Sequence, residues 1–121
     1  MNPASKILIV DDNEDLCANF MDILKFKRYD VKGVNNGDQA VDAVKKERFD
    51  VVFMDVNMPG KNGIETVKLL MQIDPEINVI MITAFADEGV YKEILRNGKF
   101  KVIQKPVDID KFLGMLEKMQ R

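Results

Sequence analysis

Two acids, Asp11 and Asp12, follow the apolar run "ILIV"; a third, Asp55, follows "VVFM"; Thr83 closes "VIMIT"; and Lys105 stands just beyond Phe100–Ile103. Three carboxylates, a hydroxyl and an ammonium, each at the end of an apolar run, can hold a hard cation and bind anionic oxygen. If the first and third runs are neighbouring strands, the three carboxylates converge. At an effective dielectric near 20, two unit charges about 4 Å apart repel by roughly 4 kcal/mol, so three ionised acids imply a divalent cation. Mg2+ fits best, because it takes oxygen ligands, is commonly held by one or two carboxylates, and fills its other positions with water and phosphate oxygens. Zinc would call for His and Cys ligands, and the chain has no histidine and one cysteine, Cys17.

Each residue alone has a plainer reading. Asp12 or Asn13 would serve as a helix cap, Thr83 as a strand former and Lys105 as a solvated strand end. Their shared position decides between the readings, because all of them close apolar runs at the same end.

The elements that must position them are legible. Apolar runs at Lys6–Val10, Tyr29–Val34, Val51–Met54, Val79–Thr83 and Phe100–Ile103 read as strands. Between them, Leu16, Phe20, Ile23 and Leu24 recur at helical spacing behind Asn13, with Glu14 and Asp15 in the first turn. Ala40, Val41 and Val44 mark a second helix after Gly37. Ile64, Val67 and Leu70 or Met71 mark a third, stopped at Asp74-Pro75. Val90, Ile94 and Leu95 mark a fourth, closed by Asn97-Gly98; Ile109, Phe112, Leu116 and Met119 mark a fifth. Strand and helix alternate five times, which predicts an α/β fold with a doubly wound parallel sheet, its central strands apolar on both faces. Ligands of such sheets bind beyond the carboxyl ends of the strands, where the strand order reverses. Asp55 is therefore expected at the mouth of that crevice.

A chain of 121 residues with 46% apolar content fits one domain. Eighteen basic residues against 20 acidic ones give no field that would draw in nucleic acid or an anionic membrane. Neither a spanning segment nor a signal-peptide pattern is present, so the cytoplasm is the expected location. Without histidine the chain cannot run Ser-His-Asp or Cys-His catalysis or carry a phosphohistidine itself.

The motifs "ILIVDDNED", "DVVFMDVNMPGKNG", "VIMITA" and "QKP", in this order, resemble a response-regulator receiver domain of two-component signalling, similar to the chemotaxis regulators, over residues 1–121 as a single domain. The resemblance implies a flavodoxin-like five-stranded sheet in the order 2-1-3-4-5, with Asp55 as phosphoacceptor. It makes Asp11 and Asp12 ligands of Mg2+, one of them through water, and adds the backbone carbonyl of Asn57. Thr83 and Lys105 would contact the phosphoryl oxygens, and Lys105-Pro106 would be a cis bond. The implied donor is a sensor histidine kinase or histidine phosphotransfer protein, with acetyl phosphate as a second source. The implied recipient of the signal is a downstream target protein, or an output domain outside this chain, reading the surface of the fourth helix, fifth strand and fifth helix. The domain would be a switch rather than an enzyme, limited to self-phosphorylation and autodephosphorylation.

The chemistry agrees with those roles. A carboxylate can attack phosphorus to give an acyl phosphate, and phosphoryl transfer asks mainly for positioning and charge neutralisation, for which Lys105 supplies a point charge and Thr83 a donor. No general base is needed. Pro59 would end the strand and fix φ, and Gly60 and Gly63 would supply dihedrals that other residues resist.

Three positions depart from the family pattern. Val102 stands where an aromatic residue usually sits; either it is simply packed and loop movement carries the coupling, or Phe100 or Tyr91 substitutes. Gly98-Lys99 places a charge where a small residue is usual. Phe85, two positions after Thr83, is either an exposed loop aromatic or a shield that lengthens the life of the acyl phosphate.

Rival functions fit less well. A haloacid-dehalogenase-type phosphatase needs an acid two residues after its nucleophile, and that position is Asn57. A flavodoxin-like cofactor binder needs a first loop that welcomes phosphate, which "DDNED" would repel. A degenerate receiver that only binds partners would lack labelling at Asp55. The sequence stops one helix after Lys105, so the chain either works alone or is a receiver cut from a longer protein.

Overall fold

The structure, a computed structural model, describes residues 6–56, 63–84, 91 and 99–119. Five parallel strands, β1 (Lys6–Val10), β2 (Asp30–Val34), β3 (Val51–Asp55), β4 (Asn78–Thr83) and β5 (Lys99–Gln104), lie in the order β2-β1-β3-β4-β5. Four helices are described: α1 (Glu14–Phe26), α2 (Gly37–Lys46), α3 (Gly63–Ile73) and α4 (Ile109–Lys118), the last being the fifth helix of the sequence reading. The helix expected at Val90, Ile94 and Leu95 falls, apart from Tyr91, outside the described residues. Among the described residues no helix is long and apolar enough to cross a membrane.

The period-2 alternation of the strands divides the core into two layers. Leu8, Val10, Val52, Met54, Val79, Met81 and Val102 meet Ala40, Ala43 and Val44 of α2 and Val67 and Leu70 of α3. Ile7, Ile9, Val51, Phe53, Ile80, Ile82 and Ile103 meet Phe20 and Leu24 of α1 and Phe112 and Leu116 of α4. Three rings pin the second layer, Phe53 lying 5.1 Å from Phe20 and 4.3 Å from Phe112 between centroids. Between their end residues Lys6, Asp55, Asn78 and Thr83, the central strands β1, β3 and β4 are apolar because helices cover both of their faces.

Local chemistry sets the helix ends. Asn36 caps α2, its side chain accepting from the Gln39 amide at 2.9 Å, while Gln39 accepts from the Asn35 amide at 2.8 Å. Asp108 caps α4 by accepting from Asp110 and Lys111. At the end of α1, Tyr29 N–H donates to Leu24 O and Arg28 N–H to Lys25 O, with Arg28 at φ 71°. That is a Schellman closure with arginine where glycine is usual. Tyr29 is thus the close of α1, and β2 starts one residue later than its apolar pattern suggests.

Gly63, expected to supply an unusual dihedral, is required for a different reason. A Cβ there would lie 2.5 Å from Val56 Cα, so the start of α3 can approach the backbone after β3 only without a side chain. Gly60 and Pro59 lie outside the described residues.

Candidate phosphoacceptor site

The strand order reverses between β1 and β3, and the acids sit at that point. Asp11 follows β1 and Asp55 closes β3; both are buried, while Asp12 is exposed. The alternation that buries Ile9, Phe53 and Ile103 in the α1/α4 layer also directs Asp11, Asp55 and Lys105 to that side. The alternation places Thr83 with Val79 and Met81 on the other side.

Backbone bonds hold these positions past the ends of the strands. Asp11 N–H donates to Val34 O at 3.2 Å, Val56 N–H to Ile82 O at 3.0 Å, and Lys105 N–H to Thr83 O at 2.8 Å. Asp11, Asp55, Thr83 and Lys105 are therefore in the sheet or one residue from it.

Carboxylate oxygens of Asp11, Asp12 and Asp55 lie within 4.8 Å of one another. An all-oxygen set of this size, with two members buried, fits a hard divalent cation such as Mg2+. The crowding registers on Asp11, whose carboxyl is raised above its ordinary value, first by burial and then by the charges of Asp55 and Asp12. The Asn13 N–H, which donates to Asp11 Oδ1 at 2.9 Å, and Lys105 oppose that rise.

Lys105 Nζ lies 2.8 Å from Asp55 Oδ2. The Lys105-Pro106 bond is cis, as expected from the resemblance. Thr83 is 1% exposed, and its Oγ1 accepts from the Tyr91 phenol at 3.2 Å. Sequence reasoning named Tyr91 only as a stand-in for an aromatic at Val102, because a contact across eight positions of irregular spacing leaves no periodic signal. Val102 is buried on the α2/α3 side, with Tyr91 and Phe100 packed against the same cluster. Lys99 carries its charge outward to Glu76, 2.5 Å away, so the family's small-residue position is not a buried charge here. Asn57 and Phe85 lie outside the described residues.

A cleft of about 900 Å³ opens from this site between α1 and the segment after β5. Asp11, Asp55 and Lys105 line it together with Phe20, Ile23 and Ile109, and Asn19 and Asp22 of α1 add polar groups to its wall.

Comparison with known proteins agrees with this geometry. The response regulator receiver domain family matches residues 7–117. The chain is 36% identical over 113 residues to the sporulation initiation phosphotransferase F of Bacillus subtilis, covering 93% of this chain and 91% of that protein. It is 35% identical over 112 residues to the transcriptional regulatory protein ZraR of Escherichia coli, covering 93% of this chain but only 25% of that protein. The chain thus spans about a quarter of the length of that relative. A solved CheY-like response regulator receiver domain protein from Methanospirillum hungatei matches with a TM-score of 0.86 at 26% identity, covering 95% of this chain and 92% of that one. With the strand order, the acidic strand ends and the family match in agreement, the chain belongs to the response regulator receiver domains, the signalling switches of two-component systems.

Proposed function

We propose that Asp55 is the phosphoacceptor and that residues 1–121 work as one receiver unit. The observation that carries this reading is the Asp55 carboxylate held 2.8 Å from Lys105 Nζ beside two further acids at the strand-order reversal. The donor is a phosphohistidine on a sensor histidine kinase or histidine phosphotransfer protein, reached through the cleft beside α1. An Asp55 carboxylate oxygen attacks phosphorus, the P–N bond of the donor breaks, and its electron pair stays on the imidazole nitrogen, leaving an acyl phosphate on Asp55. Acetyl phosphate serves as a second donor, with acetate leaving. In the reverse branch, water attacks phosphorus, the bond to Asp55 breaks with its electron pair returning to the carboxylate, and inorganic phosphate departs.

Lys105 screens the phosphoryl oxygens as a point charge, and Thr83 offers a hydroxyl donor. Asp11, Asp12 and Asp55, with the backbone carbonyl of Asn57, would hold Mg2+. When bound, Mg2+ neutralises the crowded carboxylates and the incoming phosphoryl oxygens. The phosphorylated domain then biases an equilibrium between two surfaces, read by a downstream target protein or by an output domain.

The test is intact mass spectrometry after incubation with acetyl phosphate and Mg2+. A single added PO3 that is lost in Asp55→Asn supports the reading; an identical adduct in the variant overturns it.

A further inference from the structure

Thr83 connects the two faces of the sheet. Its strand neighbours Val79 and Met81 pack in the α2/α3 layer, whereas Asp55 and Lys105 open onto the α1 side. The Lys105 amide donates to the Thr83 carbonyl at 2.8 Å, so a backbone hydrogen bond ties Thr83 to the lysine that touches Asp55. On the other face, the half-buried Tyr91 packs against the cluster containing Val102, and its hydroxyl reaches Thr83 Oγ1 at 3.2 Å.

The direction of that bond follows from acidity. A phenol, with a pKa near 10, is far more acidic than an aliphatic alcohol, so Tyr91 donates and Thr83 accepts. A threonine oxygen has two acceptor positions and one donor proton, and these diverge in space. Accepting from Tyr91 therefore leaves the Thr83 proton directed elsewhere, and each bond in such a chain strengthens the next.

We propose that Tyr91 is a positioning residue for Thr83. Its phenol holds the Thr83 oxygen from the α2/α3 face, so that the Thr83 hydroxyl donates to the phosphoryl group on Asp55 at the other, forming a two-hydroxyl relay across the sheet edge. This rests on the phosphoacceptor reading of Asp55. Phosphorylation tightens the Tyr91 bond rather than breaking it, and the segment bearing Tyr91 thereby senses the state of Asp55.

The test uses the wild-type chain, Tyr91→Phe, Tyr91→Ala, Thr83→Val and the Tyr91→Phe/Thr83→Val pair, each treated with acetyl phosphate and Mg2+ and followed by intact mass over time. Tyr91→Phe keeps the ring in its packing and removes only the hydroxyl. The relay predicts that it shortens the life of the adduct by about two- to tenfold, the worth of one neutral hydrogen bond. It also predicts that this effect disappears in the Thr83→Val background, because the two hydroxyls act through each other. In 3-fluorotyrosine-labelled protein, which carries two tyrosines, the Tyr91 resonance should move on phosphorylation and the Tyr29 resonance should stay.

An adduct in Tyr91→Phe that lives as long as wild type or longer, or an effect that persists unchanged in the Thr83→Val background, overturns the relay. A defect confined to Tyr91→Ala assigns Tyr91 to packing alone and overturns it as well. If the wild-type chain takes up no PO3, the phosphoacceptor reading has failed, and that is seen in its mass before any variant is compared.

Discussion

Lys105 Nζ and Asp55 Oδ2 stand 2.8 Å apart across 50 positions of sequence, joined at one end of the sheet by β3, β4 and β5. The Asp55 side chain is 10% exposed and that of Lys105 41%, so the carboxylate is anchored and the ammonium reaches in from solvent. The lysine is well placed to follow negative charge from the carboxylate to a phosphoryl group bound on it.

Replacing Lys105 with methionine keeps much of the stem and removes the charge. Accumulation of the Asp55 adduct from acetyl phosphate should slow by about tenfold or more, the effect of losing a charge-assisted contact in a phosphoryl-transfer site. Lys105→Arg should fall between the two, because a planar fork does not reproduce a point charge. Initial rates from intact mass spectra decide the order.

Asp11→Asn should make the chain more stable when no divalent cation is present. The substitution removes a buried charge facing Asp55 and Asp12 and keeps an oxygen for the Asn13 amide. A gain of about 1 kcal/mol is expected. Added Mg2+ should raise the melting temperature of wild type by mass action and leave the variant nearly unmoved. Paired thermal melts with and without Mg2+ measure both effects.

At the other end of the sheet, Lys6 Nζ and Glu47 Oε1 lie 2.7 Å apart. The hydrogen bond to Lys6 holds the Glu47 carboxyl below its ordinary value of 4.5, and the hydrogen bond to Glu47 holds Lys6 above 10.5. A lowered acid stabilises the fold above its unfolded pKa and loses that contribution as pH falls through the folded value. A raised lysine stabilises below its unfolded pKa and loses that contribution as pH climbs through the folded value. Glu47→Gln should therefore melt slightly lower than wild type at pH 7, by about a degree or two for a surface pair. The gap should close below pH 4.5 and above pH 10.5. Melting curves from pH 3 upward give the profile.

Arg28→Gly should stabilise the domain by about 1 kcal/mol. Arg28 closes α1 at φ 71°, a conformation that costs an L side chain about that much and glycine almost nothing. Urea denaturation of the two proteins, read at constant slope, gives the difference.

The order and type of the elements were legible because burial on both faces leaves the middles of β1, β3 and β4 without polar residues. Their limits were less so. Asp55 and Asn78 are in strands because ladder partners hold them, Asp55 beside Ile82 and Asn78 beside Val51 and Lys99, and hydrophobicity carries no trace of that. Tyr29 reads as a strand residue by composition, yet its amide belongs to the end of α1. The charged residues of the site could be picked out by their shared place after apolar runs. The role of Gly63 could not, since it depends on how closely α3 passes Val56, and neither could the Tyr91 bond to Thr83, which depends on where the chain returns after β4.

The amides of Asp11, Val56 and Lys105 lie outside regular strands, yet each is locked to a neighbouring strand. Solvent deuterium should reach them late, on the timescale of opening the sheet itself, although Asp11 and Lys105 line a cleft open to water. A rim that resists exchange while its side chains stay accessible lets the domain receive a charged group without loosening the frame that holds it.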